Sequence, residues 1–488
     1  MILYCISHNY GYELEKLLGL FFPLEKVRIL NEFEKKDENF LFTQKKYGEN
    51  EITLISELFY NGKTLKSEKT IAFDNENDAE RSLSVLCFNQ LTKVCGFTPE
   101  WGILTGIRPS KLMMRYIDEY GEEEALPRFC ENFLVSPEKA KLASDVAKTE
   151  KNIIALSGEK SFSLYISIPF CPTRCSYCSF VSHSIASATA KELIPEYVEK
   201  LCSEIRLTGE KVKENSLVLK SVYWGGGTPT TLSAEQLDLI LTEIENSFDL
   251  KNCLEYTVEA GRPDTVTDEK LAVLKKHSVS RISINPQTFS NSVLKNIGRC
   301  HTVEDTVEKF KKAEQYGFDS INTDLIAGLP GDSLDSFKNS IDKAIELGPE
   351  NITVHTLALK RSSTLVTENE NKNLDKNITS CMIEYASSQL KKAGYSPYYM
   401  YRQSKSLGNL ENVGWCKKGK ECFYNVFMME ECHSIMSAGA GAVTKLVSPD
   451  KSYIERIFNY KYPFEYNNRF NIITERKNRI SEFFSEYK

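Results

Sequence analysis

The sequence predicts an α/β protein built around six βα units, with a smaller α+β region before them and a polar, aromatic-rich region after them. Three observations carry this expectation. From about residue 160 to residue 360, apolar runs of strand type alternate with helical patterns, as in a parallel sheet with helices on its faces. The residues of unusual chemistry fall at the carboxyl ends of the expected strands, where α/β barrels build their sites. The chain's 488 residues exceed the usual ~100–200 of one domain, so two or three domains are expected.

Composition bounds the function. Apolar residues make up 41% and charged residues 26%, ordinary values for a globular protein with a sizeable core. A net charge of -6 gives no overall basic field, so no nucleic-acid partner is expected. The stretch Met1 to His8 lacks the charged and long apolar parts of a secretory signal, and no run of eighteen apolar residues occurs. A cytoplasmic protein without a membrane span is therefore expected; the chain is also expected to be a monomer. The 14 cysteines then stand as thiols or ligands rather than disulfides. Cys87, Cys202, Cys253 and Cys381, inside periodic segments, read as small core residues.

Residues 1–155 alternate strand-like segments (Ile2–Ile6, Asn39–Thr43, Glu51–Tyr60, Ser67–Phe73) with helical ones (Tyr12–Leu18, Ala79–Lys93, Pro109–Tyr120, Pro137–Thr149). That pattern is a small α+β domain followed by a helical connector. Between Trp101 and Pro109, two glycines and a proline bracket Arg108. The stretch reads as a structural turn, the alternative being an arginine that caps a helix or meets an anion.

Residues 156–365 carry the expected strands Ser163–Ile168, Lys220–Trp224, Leu254–Glu259, Val279–Ile284, Ser320–Ile326 and Ile352–Leu357. Helical patterns over Ile194–Leu207, Ala234–Glu245, Asp268–Lys276, Val303–Tyr316 and Leu334–Leu347 separate them. Periodicity leaves the sheet either open or curled into part of a barrel. Residues 366–488 begin polar and Asn-rich over Thr367–Asn377, a linker or surface loop, and turn helical over Ser380–Ala393.

The first strand runs into Cys171, Cys175 and Cys178, a Cys-x3-Cys-x2-Cys loop. Three thiolates within eight residues can hold three corners of an iron-sulfur cubane and leave one iron open to a substrate or cosubstrate. A zinc site needs a fourth ligand, and the nearest, His183, would have to fold back. A disulfide fits neither the odd number nor the compartment.

This loop, with aromatic Tyr177 just before its third cysteine, resembles the signature of the radical S-adenosylmethionine (SAM) superfamily. Tyr165 to Cys171 and Gly225-Gly226-Gly227-Thr228-Pro229 resemble, more narrowly, the oxygen-independent coproporphyrinogen III oxidase (coproporphyrinogen dehydrogenase) family, in its subgroup with an N-terminal extension. The resemblance spans roughly residues 160 to 460. It implies a partial (β/α)6 barrel, a C-terminal α+β region covering the substrate, a 4Fe-4S cluster on Cys171, Cys175 and Cys178, and SAM as cosubstrate. It further implies that Gly225, Gly226, Gly227 and Thr228 approach the amino-acid end of SAM with exposed N–H groups; by itself the triple glycine is a weak signal, lacking a phosphate loop's Lys-Ser/Thr and dinucleotide spacing, and its place after the second strand is what raises it. Glu259 is implied to accept from the SAM ammonium, Gln287 and Arg299 to contact SAM, Asp324 to take ribose hydroxyls, and Tyr165 to lie near the cosubstrate. Without the resemblance, Glu259 is a cap or ion-pair partner and Tyr165 a strand aromatic.

Several residues depart from the family pattern: Ser167 for the usual His, Phe180 for a further Cys, Ala260-Gly261 for Asn-Pro and Asn285-Pro286 for Gly-Val. Phe180 resembles the family's haem-chaperone branch. Later, Tyr398, Tyr399 and Arg402, with the glycines of Ala438–Ala442, resemble the substrate-covering region, where aromatics and an arginine hold a tetrapyrrole and its propionates. Packing of an aromatic-rich region on the barrel needs no ligand. The activity implied is removal of hydrogen from a porphyrinogen propionate by a SAM-derived radical, with loss of carbon dioxide and an electron to give a vinyl group, twice, yielding protoporphyrinogen IX. The partners implied are a tetrapyrrole and a small flavodoxin- or ferredoxin-type electron donor. The alternatives are a haem chaperone that keeps the cluster and SAM site, and a radical SAM enzyme acting on haem.

Overall fold

The computed structural model describes residues 1–488 except 24, 35–37, 181, 182, 361, 362, 364, 366–375, 404 and 488, so nearly all of the expected linker Thr367–Asn377 lies outside the described residues. The chain forms two compact units, one of residues 1–147 with 401–411 and the other of 148–400 with 412–488.

In the first unit β1 (Ile2–Ile6), β2 (Arg28–Leu30), β3 (Phe40–Tyr47), β4 (Glu51–Tyr60) and β5 (Lys63–Ala72) form a sheet in the order β2-β1-β3-β4-β5. β1 runs parallel to β2 and β3, and β3, β4 and β5 make an antiparallel meander. Alternation in β4 sends Ile52, Leu54 and Leu58 to one face, where the helices Gly11–Phe21 and Ala79–Cys95 cover them with Leu14, Leu18, Leu83 and Leu91. Ser56 shares that inward row and is satisfied by Gln90, to whose Oε1 its hydroxyl donates at 2.7 Å. The helix expected from Pro109 starts there, because proline at N1 forfeits no hydrogen bond, and it is interrupted at Gly121 (φ +78) before continuing to Phe133. Trp101–Pro109 is a turn with a buried anchor. Trp101 Nε1 donates to Glu411 Oε2 at 2.7 Å, and Glu411 Oε1 takes Lys139 Nζ at 2.7 Å.

In the second unit β6 (Ser161–Ile168) is followed by a two-residue pair, β7 (Phe170–Cys171) with β8 (His183–Ser184), and then by β9 (Val218–Gly226), β10 (Glu255–Glu259), β11 (Arg281–Ser283), β12 (Ser320–Ala327) and β13 (Asn351–Thr356). β6, β9, β10, β11, β12 and β13 pair in parallel in that order, as the sequence predicts. The helices between them start where caps direct: Ser233 with Gln236, and Thr302 with Asp305, form capping boxes. β14 (Ser396–Arg402), β15 (Glu411–Cys416), β16 (Ser434–Ala438), β17 (Val443–Val447) and β18 (Ile454–Phe458) extend the sheet on both sides. Its order is β14-β15-β13-β12-β11-β10-β9-β6-β16-β17-β18, with β14 and β18 at its edges among the described residues, so the parallel strands form a partial barrel.

The glycines of Ala438–Ala442 lie at the end of β16, which pairs in parallel with β6. They form a turn locked to the last residues of the first barrel strand. Ser167 Oγ donates to Ala440 O at 2.7 Å, and Tyr197 OH donates to Ser167 O at 2.6 Å while accepting from Ala440 N at 3.0 Å. Gly439 has φ +103, and a side chain there would run into the Ser167 carbonyl. Its N–H goes to Glu204 Oε2 at 2.8 Å. Buried Glu204 also accepts from Tyr466 OH at 2.6 Å and is paired with Lys477 Nζ at 2.9 Å. A buried ion pair is tolerable when such hydrogen bonds satisfy its remaining lone pairs.

Candidate functional site

The cysteine loop leaves β6 through Pro169 and is tied down by segments that follow other strands. The N–H groups of Gly227 and Thr228 donate to Ile168 O and Phe170 O, each at 2.7 Å. Ser176 N donates to Ile297 O at 3.1 Å, and Thr173 Oγ1 donates to Gly298 O at 3.0 Å. Cys178 N closes a tight turn onto Cys175 O at 3.1 Å. The loop is thus held from β9 and from the segment preceding Arg299.

Cys175 is buried, and Cys171 and Cys178 are partly exposed. Burial pushes the Cys178 thiol up to about 11, and the neighbouring Cys175 and Cys171 add to the shift. Three thiolates this near to one another repel unless a cationic group sits among them, which is the donor chemistry of an iron-sulfur cluster. Among the described residues no three His, Cys, Asp or Glu side chains form the shell of a single metal ion. A cubane needs no such single-ion shell, because its cysteines bind different irons. His183 joins no such group, and its ring packs edge-on against Tyr462 with centroids 5.9 Å apart.

A second group of residues lines the inside of the barrel. Along these mostly buried strands, Tyr165 on β6, Tyr223 on β9, Glu259 on β10, Asn322 and Asp324 on β12 and His355 on β13 are half-open. They are linked side to side. Tyr223 OH donates to Glu259 Oε1 at 2.6 Å, Asn322 Nδ2 donates to Asp324 Oδ1 at 2.7 Å, and His355 Nε2 lies 3.8 Å from Asp324 Oδ2. Depth below the surface raises the Glu259 carboxyl to about 7; the Tyr223 hydroxyl opposes that shift and the Asp324 charge adds to it. Burial acts on Asp324 in the same sense, but His355 and Asn322 outweigh it and hold the carboxyl below its usual range.

Gly225 sits over the Glu259 carboxylate: an added Cβ would stand 3.3 Å from both its oxygens. Gly226 and Gly227 serve a different need, the close approach of β9 to Ser167, Ile168 and Phe170. With the N–H groups of Gly227 and Thr228 already donated to main-chain carbonyls, those two do not face the barrel space as free donors, in contrast to the expectation from the glycine run. Thr228 Oγ1 lies instead 3.5 Å from Cys171 Sγ, joining the glycine turn to the cysteine loop.

Gln287 takes a left-handed backbone (φ +71), held by its N–H to Asp324 O at 3.0 Å and its carbonyl to Ile326 N at 2.9 Å. A long side chain in that region is uncommon and marks a locally imposed conformation. Arg299 is buried. Its Nη1 donates to Asn285 O at 2.5 Å and its Nη2 to Tyr177 OH at 3.2 Å, while Nε has no partner among the described residues. These two bonds use one N–H each of Nη1 and Nη2, and Nε is among the donors that remain.

Tyr223, Asn322 and Tyr424 are site residues that escaped the sequence reading. Tyr223 and Tyr424 stack at 4.4 Å between ring centroids, and Tyr165 lies nearly parallel to both at 6.4 and 6.1 Å. Tyr223 was findable, since it lies two residues before Gly225 and so on the same face of β9. Tyr424 belongs to a helix, Phe423–Glu430, that no pattern announced. Arg402 goes elsewhere. It donates to Leu104 O at 2.7 Å and Asn409 O at 3.1 Å, within the first unit, so its guanidinium is occupied by main chain rather than presented to a propionate. Tyr398 and Tyr399 are buried in β14.

Comparison with known proteins matches residues 165–344 to the radical SAM superfamily. The oxygen-independent coproporphyrinogen-III oxidase-like protein HemZ of Bacillus subtilis (strain 168) is 41% identical over 411 residues, 83% of this chain and 81% of that protein. The heme chaperone HemW of the same strain is 32% identical over 315 residues, 62% of this chain and 77% of the chaperone. The solved structure of coproporphyrinogen III oxidase (HemN) from Escherichia coli superposes with a TM-score of 0.50 at 20% identity, over 66% of this chain and 73% of that one, a likeness of fold. Among the described residues no helix is long and apolar enough to cross a membrane.

Proposed function

The chain belongs to the radical SAM superfamily, among its oxygen-independent coproporphyrinogen-III oxidase-like members, and on that premise we propose that it oxidatively decarboxylates the propionates of coproporphyrinogen III to vinyl groups, giving protoporphyrinogen IX. The cofactors of the superfamily are a 4Fe-4S cluster and SAM. Bound together, they supply a carbon-centred radical that removes a hydrogen atom from an unreactive position. Each propionate then loses carbon dioxide and one electron to an acceptor.

The observation that carries this reading is the reach of the likeness. The match to HemZ extends over 83% of the chain, so it runs past the barrel into the region before it, whereas the match to HemW covers 62%.

The chain's own residues would work as follows. Cys171, Cys175 and Cys178 hold the cluster. Glu259 accepts from the SAM ammonium, with Gly225 leaving room over its carboxylate and Tyr223 fixing its orientation. Asp324, positioned by Asn322 and His355, takes the ribose hydroxyls. Gln287 shapes the wall, Gly226, Gly227 and Thr228 hold the glycine turn against the cysteine loop, and Arg299 offers Nε toward SAM. Tyr165, Tyr223 and Tyr424 wall the space with stacked rings and keep water from the reacting centre. A tetrapyrrole is the substrate, and a flavodoxin- or ferredoxin-type protein is the electron donor.

A second reading, a haem-handling chaperone, is favoured by the HemW relative and by Phe180, which is 65% exposed beside the cysteine loop. One anaerobic assay separates the two: reconstituted protein with SAM, a strong reductant and coproporphyrinogen III, read by tetrapyrrole mass. Loss of two carboxyl groups with matching 5'-deoxyadenosine supports the oxidase. Deoxyadenosine without a change in the tetrapyrrole places the activity on another substrate, and tight haem binding without turnover supports the chaperone.

A further inference from the structure

Arg262 lies between β10 and the following helix and is 3% exposed. Its guanidinium is gripped from two sides. Toward the cysteine loop, Nη1 donates to Thr173 O at 3.3 Å, Nη2 donates to Thr173 Oγ1 at 3.1 Å, and Nη1 also lies 3.7 Å from Cys175 Sγ. On the other side Asp264 takes Nε with Oδ1 and Nη2 with Oδ2, both at 3.2 Å. The Arg262 carbonyl accepts from Thr265 N at 2.9 Å and Thr265 Oγ1 at 2.8 Å, so the main chain beneath the side chain is fixed as well. A planar, weakly hydrated cation is the group best suited to such a buried bidentate position.

Resting on the assignment of Cys175 as a cluster ligand, we infer that Arg262 raises the reduction potential of the cluster by donating a charged hydrogen bond to the Cys175 sulfur, with Asp264 setting how much of that charge is felt. Reduction adds one electron, taken from a low-potential one-electron donor, and makes the cluster with its thiolates one unit more negative. No bond or proton changes place. A cation at one ligand sulfur favours the more negative state, and hydrogen bonds to the sulfurs and local charge are among the factors that fix such potentials. The effect is strong because the site is buried and poorly screened. Asp264 opposes it, being a carboxylate held against the same guanidinium.

The test is the midpoint potential of the reconstituted full-length protein, followed by visible absorbance and by the EPR signal of the reduced cluster, without SAM or substrate. In Arg262→Gln the equilibrium constant for reduction should fall at least tenfold, which for one electron is about 59 mV downward. In Asp264→Asn the potential should move upward, because the arginine stays and its counter-charge is gone. Should Arg262→Gln fail to take up iron because the Thr173 clamp is lost, Asp264→Asn decides: an upward shift supports the inference, and an unchanged or lower potential overturns it. Equal potentials in all three iron-loaded proteins also overturn it while leaving the cluster assignment standing. Wild-type protein that takes up no iron or sulfide overturns the cluster assignment and this inference with it.

Discussion

The Tyr223 hydroxyl donates to Glu259 Oε1 at 2.6 Å, and Gly225, two residues further along the same strand, bears no side chain above that carboxylate. Strand, glycine turn and acid thus form one piece: β9 supplies both the group that orients the carboxylate and the gap that leaves it reachable. The carboxyl stands at about 7, raised by its depth and lowered in part by Tyr223.

SAM binding should depend on pH through this acid. The ammonium of SAM pairs with the ionised carboxylate, so affinity should fall as pH drops through about 7. Tyr223→Phe removes the donor that favours the ionised form, which moves the midpoint to higher pH and weakens binding several-fold at pH 7. Anaerobic calorimetry across pH reads both effects. The cluster spectrum should be unchanged, and an unshifted midpoint in Tyr223→Phe would remove the tyrosine from this role.

Stability of the protein without SAM should show the opposite dependence. A carboxyl whose folded pKa is raised to about 7 contributes its full share of stability below its unfolded value of roughly 4.3 and loses it as pH rises through the folded value. The loss is at most about 4 kcal/mol. Urea midpoints at pH 5 and pH 8 should therefore differ less in Glu259→Gln than in wild type. An identical difference in the two proteins would show that Glu259 titrates normally.

Cluster and SAM sites should be separable by mutation. Cys175→Ala should abolish iron content and SAM cleavage together. Glu259→Gln should weaken SAM binding by roughly tenfold, since about 1.4 kcal/mol of charge-assisted hydrogen bonding is at stake, and keep the full iron content. Iron analysis paired with a SAM binding isotherm makes the comparison, and full activity in Cys175→Ala would sink the cluster assignment.

Local pattern in the sequence carried the barrel but not its cross-links. β6, β9 and β12 each carry apolar alternation long enough to define a strand, and Glu259 and Asp324 stand out because a carboxylate interrupts an apolar run at a strand's inner face. Arg262, Tyr424 and Lys477 were invisible for one shared reason: each meets partners far away in sequence, on elements whose relative placement no local pattern encodes. The segment 401–411 joins the first unit for the same reason, through Glu411 to Trp101 and Lys139. The glycines misled in a different way. A Gly-Gly-Gly run reports that something approaches closely, and at Gly226 and Gly227 the approaching group is the protein's own β6–β7 main chain.

The buried pair of Glu204 and Lys477 supplies the last prediction. Their side chains are 0% and 3% exposed, and the Glu204 carboxylate also holds Gly439 N–H, whose turn is bonded through Ala440 to Ser167 and Tyr197 at the root of the cysteine loop. Lys477→Met leaves a buried carboxylate without its cation and should cost about 3–5 kcal/mol. Adding Glu204→Gln removes the stranded charge while keeping an acceptor for Gly439 and Tyr466, so the double variant should be more stable than Lys477→Met alone. Denaturant midpoints read the coupling. Iron content after reconstitution reads its reach, and it should fall in Lys477→Met and recover in the double variant, because the turn at Gly439 braces the strand from which the three cysteines depart. A Lys477→Met protein with a wild-type midpoint and full iron would show that the ion pair braces nothing.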